Sequence, residues 1–452
     1  MMREAQRAQG LVWRCEQRGF AECLRALLAA CFACALAAGC AASGGGGQPD
    51  DNAASNGSGS GGAHGGGGLG FDESGGGGNA PSEAVAFVSG TVLAPEGTIP
   101  ISGALVYATQ DEVAPIPQQV FCDRCVDLPA NAAYTFSAAD GTFSLGVLSP
   151  GDWSIAMQKG SFRRVHKTTV VGGVDQQIDA AYSTLPTTRD VGTGDEIPRI
   201  AVATVDLGLW DHISNSLGKL GLGQVDGFGA LEPGTESFDI YGPQSAHGPA
   251  SALLTDYATL SQYHIVFFPC AVDWPDTYLT DPNVLSNLRD FVLAGGRIYA
   301  TDYSYDILRR AFEEPIQWLY DDGSFGAAET SQYDAAATVL DADMAAWLAV
   351  QGITSFTLEA NYTVVDGVQD YQAPDEDGVT VMMTPKVWVN AAVPGAGDRP
   401  ATISYEYGCG RALFSTYHTE PWGLESPMPQ ERALLYTILE VGVCLGELPP
   451  PK

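Results

Sequence analysis

Residues 288–308 read LRDFVLAGGRIYATDYSYDIL, and this stretch decides the fold class of the larger part of the chain. An amphipathic helix is predicted over Asn283–Ala294, where Gly295-Gly296 ends it, and a short apolar strand follows at Arg297–Thr301. Another helix is predicted at Tyr305–Phe312. Helices and strands that alternate over so few residues predict parallel strands joined by right-handed crossovers.

The segments on either side of this stretch continue the same alternation. A continuous apolar run, His264–Pro269, is typical of a buried central strand, and Arg199–Val205 is predicted as a second one. A hairpin that turns at Gly408-Cys409-Gly410 completes the unit. The other predicted elements are helices at Asp211–Leu220, Ser251–Gln262 and Glu431–Val441, and strands at Ser237–Tyr241, Ala401–Tyr407 and Arg411–Thr416.

Three segments resemble the class I glutamine amidotransferase-like proteins, including their ThuA-like branch. They are HIVFFPCAVDW (264–274), the stretch at 288–308, and GCGRALFSTYHTE (408–420). The resemblance implies a flavodoxin-like, three-layer α/β domain with a mostly parallel sheet over residues 198–446. Residues 321–377 are expected to form an insertion, and residues 447–452 a tail.

The same resemblance defines the candidate catalytic residues. In active members a cysteine on a tight strand-to-helix turn is activated by a His-x-Glu near the chain end. His418 and Glu420 match the second element, but the turn holds Asp302 and bulky Tyr303 in place of cysteine and glycine. Cys270 follows a different strand and is expected to be a poor substitute. Asp302, His418 and Glu420 are therefore either an oxygen-based catalytic set or scaffold residues, and loss of the cysteine nucleophile favours a non-catalytic protein.

Residues 83–182 have a different pattern, with short β-rich runs separated by turn residues. Strands are predicted at Val85–Leu93, Gly103–Thr109, Thr142–Val147, Trp153–Gln158 and His166–Val171. VSGTVLAPEG (88–97), ISGALVYA (101–108) and the segment that begins SAADGTFSLGV at residue 137 resemble the carboxypeptidase regulatory-like domain, which implies a transthyretin-like β-sandwich. Residues 183–197 are expected to form a linker. Some relatives bind carbohydrate, so Tyr107, Tyr134, Phe136 and Trp153 are either sugar-stacking rings or core.

The amino-terminal segment resembles a lipoprotein signal peptide. An apolar run at 26–38 is too short to span a bilayer and ends in Leu36-Ala37-Ala38-Gly39-Cys40, which resembles a lipobox. Residues 1–39 are therefore predicted to be removed and Cys40 to be lipidated, with a plain cleaved signal as the alternative. Ala41 after the cysteine favours the outer membrane, with the protein facing the periplasm or the cell surface. The Gly/Ser-rich residues 40–82 are predicted to be a disordered tether.

The remaining cysteines predict disulfides rather than a metal site. Cys122 and Cys125 form a CxxC pair with no second ligand pair and no βαβ context, so a disulfide that holds an exposed loop is expected. Cys409 and Cys444 are candidates for a second bond, with Cys270 as the odd thiol. No metal site and no cofactor are predicted.

Charge excludes one class of partner. The 452-residue chain has 22 Lys+Arg against 54 Asp+Glu, a formal net charge of −32, which repels phosphate backbones and makes nucleic acid an unsuitable partner. The sequence thus predicts a multidomain, lipid-anchored envelope protein with a binding or scaffold role, and carbohydrate or an envelope protein is the expected ligand. The alternative is a hydrolase or amidotransferase-like enzyme that uses Asp302, His418 and Glu420.

Overall fold

A computed structural model describes residues 84–122, 126, 128–129, 132–205, 211–271, 274–312, 314–419 and 427–440, with side chains through residue 438. These described residues belong to one compact unit. Within them, no helix has the length and apolar character that a membrane crossing requires. The predicted lipidation site, Cys40, and the tether at 40–82 lie outside the described residues, as do Glu420, Cys125 and Cys444.

The first part of the described chain consists of two sheets. One has the strand order β4-β1-β7 and the other β3-β2-β5-β6-β8. Thr142–Val147 is a strand over the predicted residues, whereas Ala133–Phe136 was not predicted. The strands are β1 (Ala86–Thr91), β2 (Leu105–Thr109), β3 (Ala133–Phe136), β4 (Thr142–Val147), β5 (Gly151–Lys159), β6 (Phe162–Val170), β7 (Gln176–Gln177) and β8 (Asp195–Glu196).

Residues 183–197, the predicted linker, contribute to this first part. Strand β8 pairs antiparallel with β6, where Arg163 lies opposite Glu196. The two side chains form a buried ion pair, and the Glu196 carboxylate also accepts a hydrogen bond from the Ile116 N–H at 2.7 Å. Part of the predicted linker is therefore fixed to the sheet by buried polar contacts.

The second part contains a nine-stranded sheet of order β10-β9-β11-β12-β21-β20-β19-β14-β15. On one side of the sheet, the five neighbouring strands β10, β9, β11, β12 and β21 run parallel. On the other side, each neighbouring pair from β21–β20 to β14–β15 is antiparallel. The sheet is thus mixed rather than mostly parallel, partly because the predicted insertion adds β14 and β15. The strands are β9 (Ile200–Ala203), β10 (Asp239–Tyr241), β11 (Ile265–Phe268), β12 (Arg297–Thr301), β14 (Glu329–Val339), β15 (Thr357–Thr363), β19 (Lys386–Val393), β20 (Gly397–Tyr407) and β21 (Gly410–Ser415).

Two small pairs, β13 (Ile316–Trp318) with β16 (Val365–Val368) and β17 (Tyr371–Pro374) with β18 (Thr380–Met383), accompany this sheet. The helices in the described part of the chain are short, and the longest of them have 12 residues. They are α1 (Ala180–Ser183), α2 (Ile213–Leu217), α3 (Ala250–Leu254), α4 (Tyr257–Leu260), α5 (Asp276–Thr280), α6 (Pro282–Leu293), α7 (Tyr305–Ala311), α8 (Ala342–Val350) and α9 (Pro429–Glu440).

A continuous apolar core joins the two parts. One cluster of buried side chains includes Val88 and Ile155 from the first part and Tyr299 and Trp347 from the second. The indole N–H of Trp347 donates a hydrogen bond to the Pro100 carbonyl oxygen at 2.6 Å. Burial of apolar surface, the dominant favourable term in folding, is therefore shared across the junction.

The disulfide prediction at Cys122 is wrong. Cys122 bonds to Cys409 with a Cα–Cα distance of 5.2 Å and a sequence separation of 287, so it is not available to Cys125, and Cys409 is not available to Cys444. The chain near residue 121 packs closely on the end of α6, since a Cβ added at Gly295 would lie 1.9 Å from the Phe121 carbonyl oxygen. This contact places Cys122 beside the β20–β21 turn, a proximity that sequence spacing does not reveal.

Candidate functional site

Three neighbouring parallel strands carry the candidate site at their carboxyl ends. Cys270 follows β11, Asp302 follows β12 and His418 follows β21, and these strands are adjacent in the sheet. A thiol sulfur, a carboxylate oxygen and an imidazole nitrogen from these residues all lie within 4.8 Å of one another. The structure therefore brings Asp302 and His418 together as predicted, and it adds Cys270, which was expected to stand apart.

Asp302 lies on a tight turn between β12 and α7. A 3₁₀ turn at Asp302–Ser304 links the two elements, and Asp302 has a φ of +46°, in the left-handed region. Aspartate tolerates this region better than most residues because its short polar side chain makes local hydrogen bonds. The turn thus forms without glycine, and Tyr303 packs edge-on against Tyr362 with 5.5 Å between the ring centroids.

Asp302 is completely buried, and neither of its carboxylate oxygens has a hydrogen-bond partner among the described residues. Burial raises the pKa of this carboxyl group well above its usual range, and the nearby charge of Asp211 raises it further. The Thr363 hydroxyl and the Tyr362 backbone lie near the carboxyl group and lower its pKa in part. Its burial therefore favours the protonated form of Asp302 more than exposure to water would.

His418 is held firmly and faces this acid. Its backbone N–H donates to the Ala360 carbonyl oxygen at 3.2 Å, its carbonyl oxygen accepts from the Gln430 amide at 2.7 Å, and its ring stacks on Tyr362. Nε2 lies 3.5 Å from Asp302 Oδ2, beyond ordinary hydrogen-bond length, and has no hydrogen-bond partner among the described residues. Burial lowers the pKa of this imidazole, so the ring is neutral at neutral pH.

Asp211 holds the three strand ends together. Its Oδ2 accepts a hydrogen bond from the Thr301 hydroxyl, which in turn accepts from the Cys270 N–H at 2.7 Å. Its Oδ1 accepts from the Thr419 N–H at 2.9 Å. One buried carboxylate thereby fixes the backbone at or next to Cys270, Asp302 and His418. The sequence identified Asp211 only as the start of a helix.

Ser304, the last residue of this turn, has a structural role. Its hydroxyl donates to the Pro269 carbonyl oxygen at 2.6 Å and accepts from the Trp274 indole N–H at 2.7 Å. Ser304 is fully buried and its proton is already engaged. It therefore joins the end of β11 to the turn after β12 and is not an exposed nucleophile.

The aromatic side chains suggested as a sugar platform do not form one. Tyr107 and Trp153 are 4% and 5% exposed and belong to the core, and Tyr134 and Phe136 are half-buried against a small apolar cluster. A separate polar groove of about 650 Å³ lies over β5 and β6 and includes Gln110, Asp152, His166 and Lys167 in its lining. Trp153 also lines this groove.

Comparisons with known proteins give little further information. No family model matches the sequence, and no curated protein matches it. Among solved structures, a β-galactosidase from Bacillus circulans sp. alkalophilus is 12% identical over 54% of this chain and 30% of its own length, with a TM-score of 0.27. A cytoplasmic protein from Salmonella typhimurium is 13% identical over 53% of this chain and 97% of its own, with a TM-score of 0.32. PurLQS from Thermotoga maritima is 11% identical over 54% and 100%, with a TM-score of 0.31.

The chain thus spans less than a third of the β-galactosidase that it matches. At these TM-scores none of the three likenesses supports a conclusion about activity, substrate or partner.

Proposed function

We propose that this chain is a lipid-anchored cell-envelope protein that binds or presents a ligand without turning it over. The observation that carries the proposal is the burial of the candidate catalytic groups. Asp302 is 0% exposed and His418 is 3% exposed, so a substrate could contact none of the first side chain and very little of the second. A nucleophile or general base must come within hydrogen-bond reach of its substrate, and these two residues lie beneath the surface.

A flavodoxin-like second part and a transthyretin-like first part would suit a scaffold role. The parallel run from β10 to β21, with polar groups at its carboxyl edge, is the arrangement expected of a flavodoxin-like domain. The two sheets of the first part are what a transthyretin-like sandwich would provide. Because these parts share a core and a disulfide, we infer that they form a rigid support carried by the lipid on Cys40.

Carbohydrate is the ligand class that we propose for the groove over β5 and β6. Asp152, Gln110 and Lys167 offer charged and polar groups to sugar hydroxyls. Tyr182 is 52% exposed and stacks on His166 of the groove lining, with ring centroids 4.3 Å apart, so an accessible aromatic ring lies beside the groove. Sugar recognition commonly combines such a face with hydrogen bonds.

A glycan array with the full chain, followed by thermal-shift measurement on each hit, tests the ligand proposal. We expect Tyr182→Ala and Asp152→Asn to reduce binding of a hit by at least tenfold. Phe228→Ala is the control, because Phe228 is 79% exposed and belongs to the second part of the chain, whereas residues of the first part line the groove. Equal binding by all three variants would refute the groove as the ligand site.

Labelling with radioactive palmitate tests the anchor separately. The wild-type chain should incorporate label in a bacterial host with lipoprotein processing, and Cys40→Ala should not. Equal label in both proteins, or none in the wild type, would contradict the proposed anchor.

An enzyme is the second candidate, and it has one specific observation in its favour. Asp302 occupies a strand-to-helix turn with left-handed φ and lies 3.5 Å from the imidazole of His418. Glutaminase, amidase and esterase assays on the wild type and on Asp302→Asn test this candidate. Turnover that falls by about a hundredfold or more in the variant would replace the binding proposal with the enzyme.

A further inference from the structure

We propose that Cys270, Asp302 and His418 form a binding site for a zinc ion at the carboxyl edge of β11, β12 and β21. This inference goes beyond the proposed binding role and does not depend on it. It rests on the positions of three ligand-type atoms, on buried polar atoms that lack partners, and on the charge of the set.

The ligand positions suit a tetrahedral ion. Zinc lies about 2.0–2.3 Å from nitrogen, oxygen and sulfur ligands, which places neighbouring ligand atoms roughly 3.3–3.8 Å apart. Nε2 of His418 and Oδ2 of Asp302 are 3.5 Å apart, within that interval. The thiol of Cys270 completes the set, with all separations below 4.8 Å, and small side-chain movements would bring it to coordination distance.

Unsatisfied polar atoms surround the proposed ion position. Both carboxylate oxygens of Asp302 and Nε2 of His418 are buried without a hydrogen-bond partner among the described residues. Each such atom is costly to bury, and native proteins contain few of them unless an ion or a water is bound there. A cation between these residues would bind all three side chains in one step.

The charge of the ligand set selects the kind of ion. A Cys270 thiolate and an Asp302 carboxylate carry two negative charges, which a divalent cation cancels while the imidazole stays neutral. A neutral centre suits a buried site, because an uncompensated charge is costly there. The sulfur ligand disfavours magnesium and calcium, which prefer oxygen, and sulfur with nitrogen and one carboxylate is a donor set that favours zinc.

Surrounding residues hold the ligands in place, as they do in known metal centres. The Asp211 carboxylate, through Thr301, fixes the backbone N–H of Cys270 and binds the N–H of Thr419 beside His418. Tyr362 stacks on the His418 ring at 5.1 Å between centroids. Three protein ligands leave a fourth position for water or for a further group of the chain.

Metal analysis of the full chain, purified without a histidine tag, tests the proposal. We expect about one zinc ion per chain, measured by inductively coupled plasma mass spectrometry. Removal with a chelator and replacement by cobalt should give a thiolate-to-cobalt absorption band. Since the chain contains ten cysteines, the difference between the wild type and Cys270→Ser isolates the contribution of this site.

Near-isosteric variants provide the decisive comparison. We expect Asp302→Asn, His418→Gln and Cys270→Ser each to weaken zinc binding by about a hundredfold or more, and to lose the cobalt band assigned to Cys270. His264→Gln is the matched control for His418→Gln, because His264 is a buried histidine whose ring nitrogens bond to Arg199 and Pro117, outside the cluster. The control should keep the zinc content of the wild type.

A folded wild type that binds neither zinc nor cobalt would overturn the proposal, as would equal zinc binding by the three ligand variants. If none of those variants folds, crystals of the wild type soaked with zinc decide the question. An anomalous difference peak between Cys270, Asp302 and His418 would establish the site. No peak there would exclude it, whatever the result of the glycan and palmitate experiments.

Discussion

His264 and His418 are both buried histidines next to strands of the same sheet. They differ in whether their ring nitrogens have hydrogen-bond partners. His264 precedes β11, and both of its ring nitrogens are satisfied: Nδ1 accepts from the Arg199 N–H at 2.8 Å, and Nε2 donates to the Pro117 carbonyl oxygen at 2.8 Å. His418 follows β21, and its Nε2 faces an equally unsatisfied carboxylate. A satisfied ring indicates structure, whereas an unsatisfied one at the carboxyl edge of parallel strands indicates a ligand.

The His264 region also shows how the two parts of the chain are fastened. Pro117 belongs to the segment that runs on to Cys122, and the Phe121 ring packs edge-on against His264 at 5.8 Å. The disulfide to Cys409 closes the same junction. At the junction, the polar groups of His264 are therefore satisfied by the protein itself, whereas the facing groups of His418 and Asp302 are not. Four experiments test this contrast.

Removing the junction disulfide should have the largest effect. Cys122→Ser combined with Cys409→Ser releases a loop of 287 residues, so the unfolded chain gains entropy. We expect a loss of about 4–5 kcal/mol in the free energy of unfolding, measured by urea denaturation. A loss below about 1 kcal/mol would show that the apolar core alone fastens the two parts.

Acid should have the second-largest effect, because it lowers the stability that the neutral, buried His264 contributes. Burial lowers the pKa of His264 to about 4, from an ordinary value near 6.5 in the unfolded chain. As the pH falls from about 6.5 to 4, the unfolded chain takes up a proton that the folded protein does not. Stability is therefore complete above pH 6.5, and about 3 kcal/mol is lost by pH 4.

His264→Gln isolates this contribution, because carboxylates elsewhere titrate equally in both proteins. The variant should be less stable at pH 7, and its stability should fall less steeply between pH 6.5 and 4 than that of the wild type. Parallel pH profiles for the two proteins would rule out a neutral, buried His264.

Thr301→Val should have an intermediate effect that extends to the site. The substitution keeps the shape but leaves the Cys270 N–H and one Asp211 oxygen without this partner. We expect a loss of about 1–3 kcal/mol in unfolding free energy, together with a loss of zinc affinity of at least tenfold. Thr301→Ser is the conservative control, because it restores the hydroxyl and should recover both quantities.

Asp302→Asn should change the stability of the metal-free protein least. Asparagine tolerates the left-handed conformation of this turn, and the carboxyl group that it replaces has no hydrogen bond among the described residues. We expect the free energy of unfolding of the metal-free protein to change by at most about 1 kcal/mol. Adding zinc should raise the melting temperature of the wild type and not that of the variant. A large loss in metal-free protein would mean that Asp302 is a structural residue like His264.

Local patterns made part of the fold predictable. The apolar runs at Arg297–Thr301 and Thr142–Val147 are strands over the predicted residues. The helix predicted at Ser251–Gln262 is instead two short helices, because the Asp256 side chain accepts a hydrogen bond from the Ala258 N–H and starts a new one. Capping competes with helix continuation at such a residue.

The site was only half predictable, for a topological reason. His418 follows a recognisable strand and Asp302 a recognisable turn, so each could be identified from its neighbours in the sequence. Cys270 enters the site because β11 lies directly beside β12, and strand order is not encoded in local periodicity. The same limit applies to Cys122, whose spacing suggested Cys125 and whose partner lies 287 residues away.

That separation also sets an order of events during biosynthesis. A ribosome releases the chain from its amino terminus, so Cys122 emerges together with Cys125, well before Cys409. Under the envelope location proposed above, these two thiols also reach the oxidising compartment first. A bond between Cys122 and Cys125 can therefore form before Cys409 is available. Where it forms, the native pairing is reached from it by thiol–disulfide exchange.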